Sequence, residues 1–212
     1  MKGICFTEEM FNAVIDGRKT QTRRIMKPQP QVFYPNGNPV LLQGDDNIKP
    51  IKPRYKAGET VYLKEPYCLD CDFIQHKYSK EWKANGKIRY KYNGDELSEL
   101  SRLAKGFNVW SNKLFMLEKY ARYFIKIEAV RCERLQDISE REDCLKEGIE
   151  ELNAGEIIPN YQDYIQYSNG DEYNYDTPQK AYAALINKIY GKGTWESNPY
   201  VWVYDFKLTI KN

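Results

Sequence analysis

Histidine is nearly absent from this chain: its 212 residues include one, His76. A Ser-His-Asp triad, a Cys-His dyad or a multi-histidine metal centre would each have to pass through that residue. Cysteine is sparse and odd in number. Cys5, Cys68, Cys71, Cys132 and Cys144 are scattered, which fits reduced thiols rather than a disulfide framework. Long apolar runs are missing as well, since no window reaches the ~18 apolar residues of a membrane span. The start, MKGICFTEEMFNAVIDG, turns acidic after six residues and has no signal-like apolar stretch. The expectation is a cytoplasmic protein with no membrane partner. With 42% hydrophobic and 14% aromatic residues, 18 of them Tyr, the chain is too apolar to be disordered.

Net charge is also small, +2, but the charge is segregated. Residues 1–136 hold 25 Lys and Arg against 16 Asp and Glu, whereas residues 137–212 hold 7 against 14. The stretch 137–176 alone has two basic and twelve acidic residues. A segregated chain can offer a local basic face to a polyanion and an acidic region to a protein partner, or simply carry two solvated surfaces. Cys68-Leu69-Asp70-Cys71 is a CxxC with His76 five residues on. Structural zinc needs four ligands, and no second CxxC or additional His completes the set, so two ordinary cysteines are the simpler reading. No metal and no cofactor are expected.

Several elements are legible. Thr7 caps a first helix, Glu8 and Glu9 favour its positive end, Met10, Phe11, Val14 and Ile15 form its apolar stripe, and Gly17 stops it. Residues 17–26 read as extended. Thr60–Glu65 and 122–130 read as strands, with a hairpin around 87–92 turning at Asn93-Gly94. Ser139-Glu140-Arg141-Glu142 has the form of a capping box, opening a helix that ends at Gly148. Thr177-Pro178 caps a third helix with Ala181, Leu185 and Ile189 facing inward, and the chain ends in a strongly alternating strand from Val201 to Ile210. This order predicts an α+β fold with a small, mostly antiparallel barrel or sheet. The whole of 1–212 is expected to be one domain.

The densest chemistry is Arg18-Lys19-Thr20-Gln21-Thr22-Arg23-Arg24, four cations and two hydroxyls in seven residues. In an extended chain Arg18, Thr20, Thr22 and Arg24 share one side, and Lys19, Gln21 and Arg23 the other. A strict strand therefore separates Lys19 from Thr22 unless a bulge or turn follows Gly17. Such a set suits a phosphate or carboxylate; it equally suits a basic edge strand protected against aggregation.

The run FNAVIDGRKTQTRR, then AGETVYLKE, then CERLQDIS followed by CLKEGI, and the terminal VWVYDF resemble the ASCH family, in its longer bacterial and prophage form. The blocks cover about half the chain, and about 27–55, 68–120 and 149–176 stand outside them as insertions. The resemblance implies a PUA-like barrel with a basic cleft for RNA, a nucleotide or a nucleoside. It also implies, as an alternative, an amidohydrolase cleaving the acyl amide of N4-acetylcytidine-type nucleosides. In that alternative Lys19 takes the Thr22 proton, Glu147 protonates the leaving amine and Arg24 steadies the oxyanion. A ribonuclease is a weaker third implication. The chain departs from the hydrolase branch in its length and in Arg23 preceding Arg24. Arg23, Arg24, Glu65 and Trp195 are the candidate ligand-binding residues. Glu65 fits a cleft or a surface ion pair, and Trp195 fits base stacking or a core plug. The tyrosines of 161–175 suit a partner surface or a wet insertion, and His76 an exposed position.

Overall fold

The structure, a computed structural model, describes residues 1–43, 47–75, 80–96, 110–153, 165–170 and 175–210. In chain order the elements are β1 (Gly3–Cys5), α1 (Glu8–Ile15), β2 (Gln21–Ile25), β3 (Val32–Phe33), β4 (Pro39–Gln43) and β5 (Asn47–Pro50). Then come β6 (Thr60–Lys64), β7 (Tyr67–Gln75), β8 (Lys80–Tyr90), β9 (Phe124–Arg134) and α2 (Glu142–Lys146). The chain closes with β10 (Glu150–Asn153), β11 (Ile165–Ser168), α3 (Pro178–Tyr190) and β12 (Tyr200–Thr209). The fold is α+β, with a five-stranded sheet in the order β1-β6-β9-β12-β2 and three smaller antiparallel sheets, β3-β4-β5, β7-β8 and β10-β11. Among the described residues no helix is long and apolar enough to cross a membrane.

The chain divides into two compact units: Met1–Asn12, Thr60–Ile125 and Thr209–Asn212 form the first, and Ala13–Glu59 with Lys126–Leu208 the second. In the first unit, β1 runs parallel to β6, pairing Gly3 with Tyr62. A Cβ on Gly3 would collide with the Lys64 side chain and come 2.6 Å from the Tyr62 ring, so only glycine fits beneath these side chains. Ile4, Phe6, Phe11, Val61, Leu63 and Met116 are buried there. The 87–90 segment pairs backward with β7, Tyr90 opposite Tyr67, instead of forward across Asn93-Gly94. Gly94, at φ 73°, instead ends a single 3₁₀ turn over Lys91–Asn93. The turn chemistry at Asn93-Gly94 is real, but the apolar partner for Tyr90 lies upstream.

In the second unit, β12 pairs antiparallel with β2 in unbroken register from Val201–Ile25 to Asp205–Gln21. Val201, Val203, Tyr204 and Phe206 are all buried, so β12 is covered on both faces over this stretch. Helix α3 is capped by Thr177, whose side chain accepts from the Lys180 N–H, an interaction worth about 1 kcal/mol. It buries Pro178, Ala181, Tyr182, Leu185 and Ile186, while Ile189 is exposed. The inward stripe is thus rotated from the expected Ala181-Leu185-Ile189 line and carries a tyrosine into the interior.

Candidate functional site

The turn that sets the site follows α1. The Met10 N–H donates to the Thr7 hydroxyl at 3.3 Å, and Gly17, at φ 77°, donates back to the Val14 carbonyl at 3.1 Å. Backbone bonds from Lys19 to Ala13 and from Thr20 to Lys146, both 2.9 Å, lead the chain into β2. The Phe206 N–H donates to the Thr20 carbonyl at 2.8 Å, extending the β12 register past Gln21 without a shift. Period-two alternation therefore holds through this segment.

One face of β2 is an ionic cluster. Lys19 Nζ donates to the Glu147 carbonyl at 2.5 Å and to its carboxylate Oε2 at 2.7 Å. Arg23 donates to Glu147 Oε1 at 3.4 Å, Asp143 Oδ2 at 3.1 Å and Glu133 Oε2 at 3.3 Å, and also to Gln21 Oε1. Gln21 in turn donates to Asp205 Oδ1 at 2.6 Å, and Arg131 joins Asp205 to Glu133. The side chains of Lys19 and Arg23 are 0% exposed. Burial of two cations at this depth is tolerable because the Lys19 ammonium and the two terminal nitrogens of Arg23 meet carboxylates and carbonyls, while Arg23 Nε is buried with no hydrogen-bond partner among the described residues.

Local sequence places the acidic partners. Ser139 caps α2 reciprocally with Asp143, its hydroxyl accepting the Asp143 N–H at 2.8 Å and its own N–H donating to Asp143 Oδ2 at 3.2 Å. The capping box thus uses Asp143 rather than Glu142, and the same carboxylate reaches Arg23. Gly148, at φ 95°, ends this helical turn right after Glu147, and a Cβ there would press 3.4 Å from Lys19 Cβ.

Electrostatics follow from this packing. Burial lowers the Lys19 ammonium, and the facing Glu147 offsets that only in part. Burial opposes the Arg23 charge too, but Glu147 and the other anions around it more than compensate. Burial also pushes the Tyr182 phenol well up, reinforced by Glu147. The Cys144 thiol is raised to about 12 and Cys132 to about 11, chiefly by burial, so neither offers a thiolate nucleophile near neutral pH.

Thr22 and Arg24 alternate to the other face of β2. Thr22 is buried opposite Tyr204, and Arg24 is half-buried opposite Trp202. The Tyr204 hydroxyl accepts from the Arg54 N–H at 3.2 Å, the Tyr55 ring meets Tyr204 edge-on, and the Arg54 guanidinium lies 5.6 Å from the Tyr55 ring. Around this anchor Lys49, Lys52, Arg54 and Lys56 are exposed, with no acidic residue in the sequence between Asp46 and Glu59.

The remaining candidates lie apart from this cluster's bonding. Glu65 belongs to the first unit, where its fully buried carboxylate takes two bonds from Arg122, at 3.0 and 2.7 Å. Arg122 itself stacks 4.0 Å from the Tyr90 ring and 5.0 Å from Tyr123. Trp195 is half-buried, edge-on to Tyr182, with its backbone held by Asn187 and Gln136. His76 and most of 161–175 lie outside the described residues, and Cys68 is buried, its thiol directed to the Leu69 carbonyl at 3.6 Å. Among the described residues no group of three His, Cys, Asp or Glu is arranged to hold a metal.

Sequence reasoning missed Glu133, Asp143, Asp205 and Tyr182 as members of the cluster. The alternation of Gln21 with Arg23 and the capping-box position of Asp143 were the available signals; Glu133 and Asp205 carried none. Comparison with known protein families, with curated proteins and with solved structures finds no match for this chain.

Proposed function

We propose that the chain binds RNA or a nucleotide-like ligand through a basic face of its second unit, on an ASCH-type fold whose sheet curves into a PUA-like barrel, in the cytoplasm. The observation that carries this reading is the exposed, acid-free run of Lys49, Lys52, Arg54 and Lys56, with Arg54 and Tyr55 anchored on Tyr204. Cations arrayed in this way neutralise successive phosphates, and a tyrosine-backed guanidinium is suited to stacking on a base. The reading moves the contact surface away from Arg23, whose guanidinium is spent on carboxylates. Lys19, Glu147 and Arg23 serve as the keystone that fixes β2 against α2. Arg24 and Thr22, on the same side of β2 as Tyr204, are the motif residues nearest in role to the ligand.

Binding of a fluorescein-labelled single-stranded RNA, followed by anisotropy from 50 to 300 mM salt, tests the proposal. The expected result is an affinity that falls steeply, with a slope of about −0.7 per phosphate contacted. Affinity indifferent to salt, or no binding at 50 mM, would remove it.

A second reading, the acyl-amide hydrolase, is favoured by one observation: a buried lysine of lowered pKa held 2.7 Å from a carboxylate, a pairing suited to proton transfer. Thr22 on the opposite face of β2 weakens its nucleophile. Cytidine release from N4-acetylcytidine, abolished by Lys19→Ala with the fold retained, would support it; absence of release by the parent chain would end it.

A further inference from the structure

Three aromatic side chains stand in a row on one face of β12. Period-two alternation places Tyr200, Trp202 and Tyr204 together, on the side that Thr22 and Arg24 occupy across the β2 pairing. The two outer rings are covered by other side chains. The Phe33 ring lies 4.9 Å from Tyr200, and the Arg134 guanidinium 3.8 Å from the same ring. At the other end the Tyr55 ring meets Tyr204 at 5.3 Å, with Arg54 beside Tyr55. Phe33 and Tyr55 both come from the excursion between β2 and β6, which also carries the Lys49–Lys56 run. Gln29 pins its entry, accepting the Tyr200 N–H at 2.7 Å and donating to the Tyr200 carbonyl at 3.1 Å. The excursion thus meets the strand at the two positions that flank Trp202.

Trp202 differs from its neighbours. It is half-buried, and among the described residues its ring has no aromatic or cationic partner and its indole N–H makes no hydrogen bond. An indole sequestered for packing alone ordinarily finds an acceptor for that proton. Trp195, by contrast, is taken edge-on by Tyr182 at 6.1 Å. The charge on this face is positive and is not cancelled by ion pairs. Arg134 is exposed, forms no ion pair among the described residues, and donates to the Asn198 carbonyl at 3.1 Å. Asp137 spends its carboxylate on the Arg134 backbone N–H at 3.0 Å. Glu133 and Asp205 belong to the opposite face, where they meet Arg23, Gln21 and Arg131.

We infer that Trp202 is the base-stacking residue of the RNA site. One base of a single-stranded RNA seats on the indole, and its phosphates run toward Arg134 at one end of the row and Arg54 at the other. This assignment rests on the RNA reading above and adds to it a contact with the base itself. Stacking on an aromatic ring accepts any base, whereas the phosphate contacts set the salt dependence. The two contributions are therefore separable by experiment.

Anisotropy of fluorescein-labelled octauridine with the full chain, from 50 to 300 mM salt, and its displacement by inorganic polyphosphate test the inference. Trp202→Leu is expected to weaken octauridine binding at least about 5-fold. The salt slope and the affinity for polyphosphate should stay at the parent's values, because no phosphate contact is lost. Trp202→Phe, which keeps a ring, should recover most of the affinity. With the unaltered chain, octauridine carrying one 5-bromouridine should crosslink under ultraviolet light to the peptide that contains Trp202, a readout that does not depend on any variant folding. A folded Trp202→Leu chain that binds octauridine as the parent does, an equal weakening of polyphosphate, or crosslinks confined to other peptides would overturn the inference and leave the basic-run reading standing. A parent chain that binds neither octauridine nor polyphosphate at 50 mM salt would remove both.

Discussion

Two fully buried glutamates, one in each unit, are neutralised in different ways. Glu147 faces Lys19, whose ammonium is itself sealed from solvent, with Arg23 and further carboxylates extending the cluster. Glu65 faces Arg122, a half-exposed guanidinium that binds both carboxylate oxygens and is flanked by Tyr90 and Tyr123. In the first unit burial raises the carboxyl, with Arg122 countering it; in the second, burial lowers the ammonium, with Glu147 countering it. A lysine can respond to desolvation by giving up its proton, whereas an arginine remains charged. The Glu65 pair is accordingly a clamp, and the Lys19 cluster is a titratable keystone beneath β2.

The sharpest way to break this comparison is to remove each arginine. Arg23→Met removes the buried cation that Glu147, Asp143 and Glu133 share and leaves each with one fewer partner beside an apolar side chain, and the expected loss is about 3–5 kcal/mol in urea unfolding. Arg122→Met removes a guanidinium that solvent already reaches, and Glu65 can take up a proton in response; about 1–2 kcal/mol is expected. Equal losses would erase the distinction between the two sites.

A smaller effect is expected at the floor of the Lys19 site. Gly148→Ala forces a side chain into a left-handed backbone and against Lys19 Cβ, at a cost of about 1–2 kcal/mol. Thermal unfolding measures it, and an unchanged midpoint would mean that the glycine is not holding Glu147 in place.

The pH dependence separates the Lys19 ammonium from the Glu65 carboxyl by sign. The folded pKa of Lys19 lies below its ordinary 10.5, so between those values the unfolded chain binds more protons and stability rises as pH rises toward 10.5. The folded pKa of Glu65 lies above its ordinary 4.5, so in that window the folded chain binds more protons and stability rises as pH falls toward 4.5. Urea titrations across pH should show the alkaline gain lost in Lys19→Met and the acidic gain lost in Glu65→Gln. A variant that keeps its parent's slope would contradict the assignment of that group.

Much of this was readable residue by residue. Thr7, Gly17 and Thr177 mark local stops and starts, and the alternation of 201–206 identifies a strand before any partner is known. The separation of Lys19 from Thr22 was also implicit, because it follows from strand periodicity once no bulge intervenes. What was hidden depends on distant partners. Arg23 reads as a surface cation because its three carboxylates arrive from 110 to 124 residues away. Likewise Tyr90 pairs upstream because Tyr67, not the Asn93-Gly94 turn, supplies the complementary edge. Helix α3 turns Tyr182 rather than Ile189 inward, a rotation that only the surrounding packing decides.

The central claim divides labour within the second unit: the Lys19 cluster holds β2, and the Lys49–Lys56 run meets the ligand. Salt titration of single-stranded RNA binding by the parent chain and by a variant with Lys49, Lys52, Arg54 and Lys56 all changed to Ala tests this most directly. The account predicts an intact fold, weakened affinity and a salt slope about 3 shallower in the variant. A folded variant that binds with the parent's affinity and slope would contradict it.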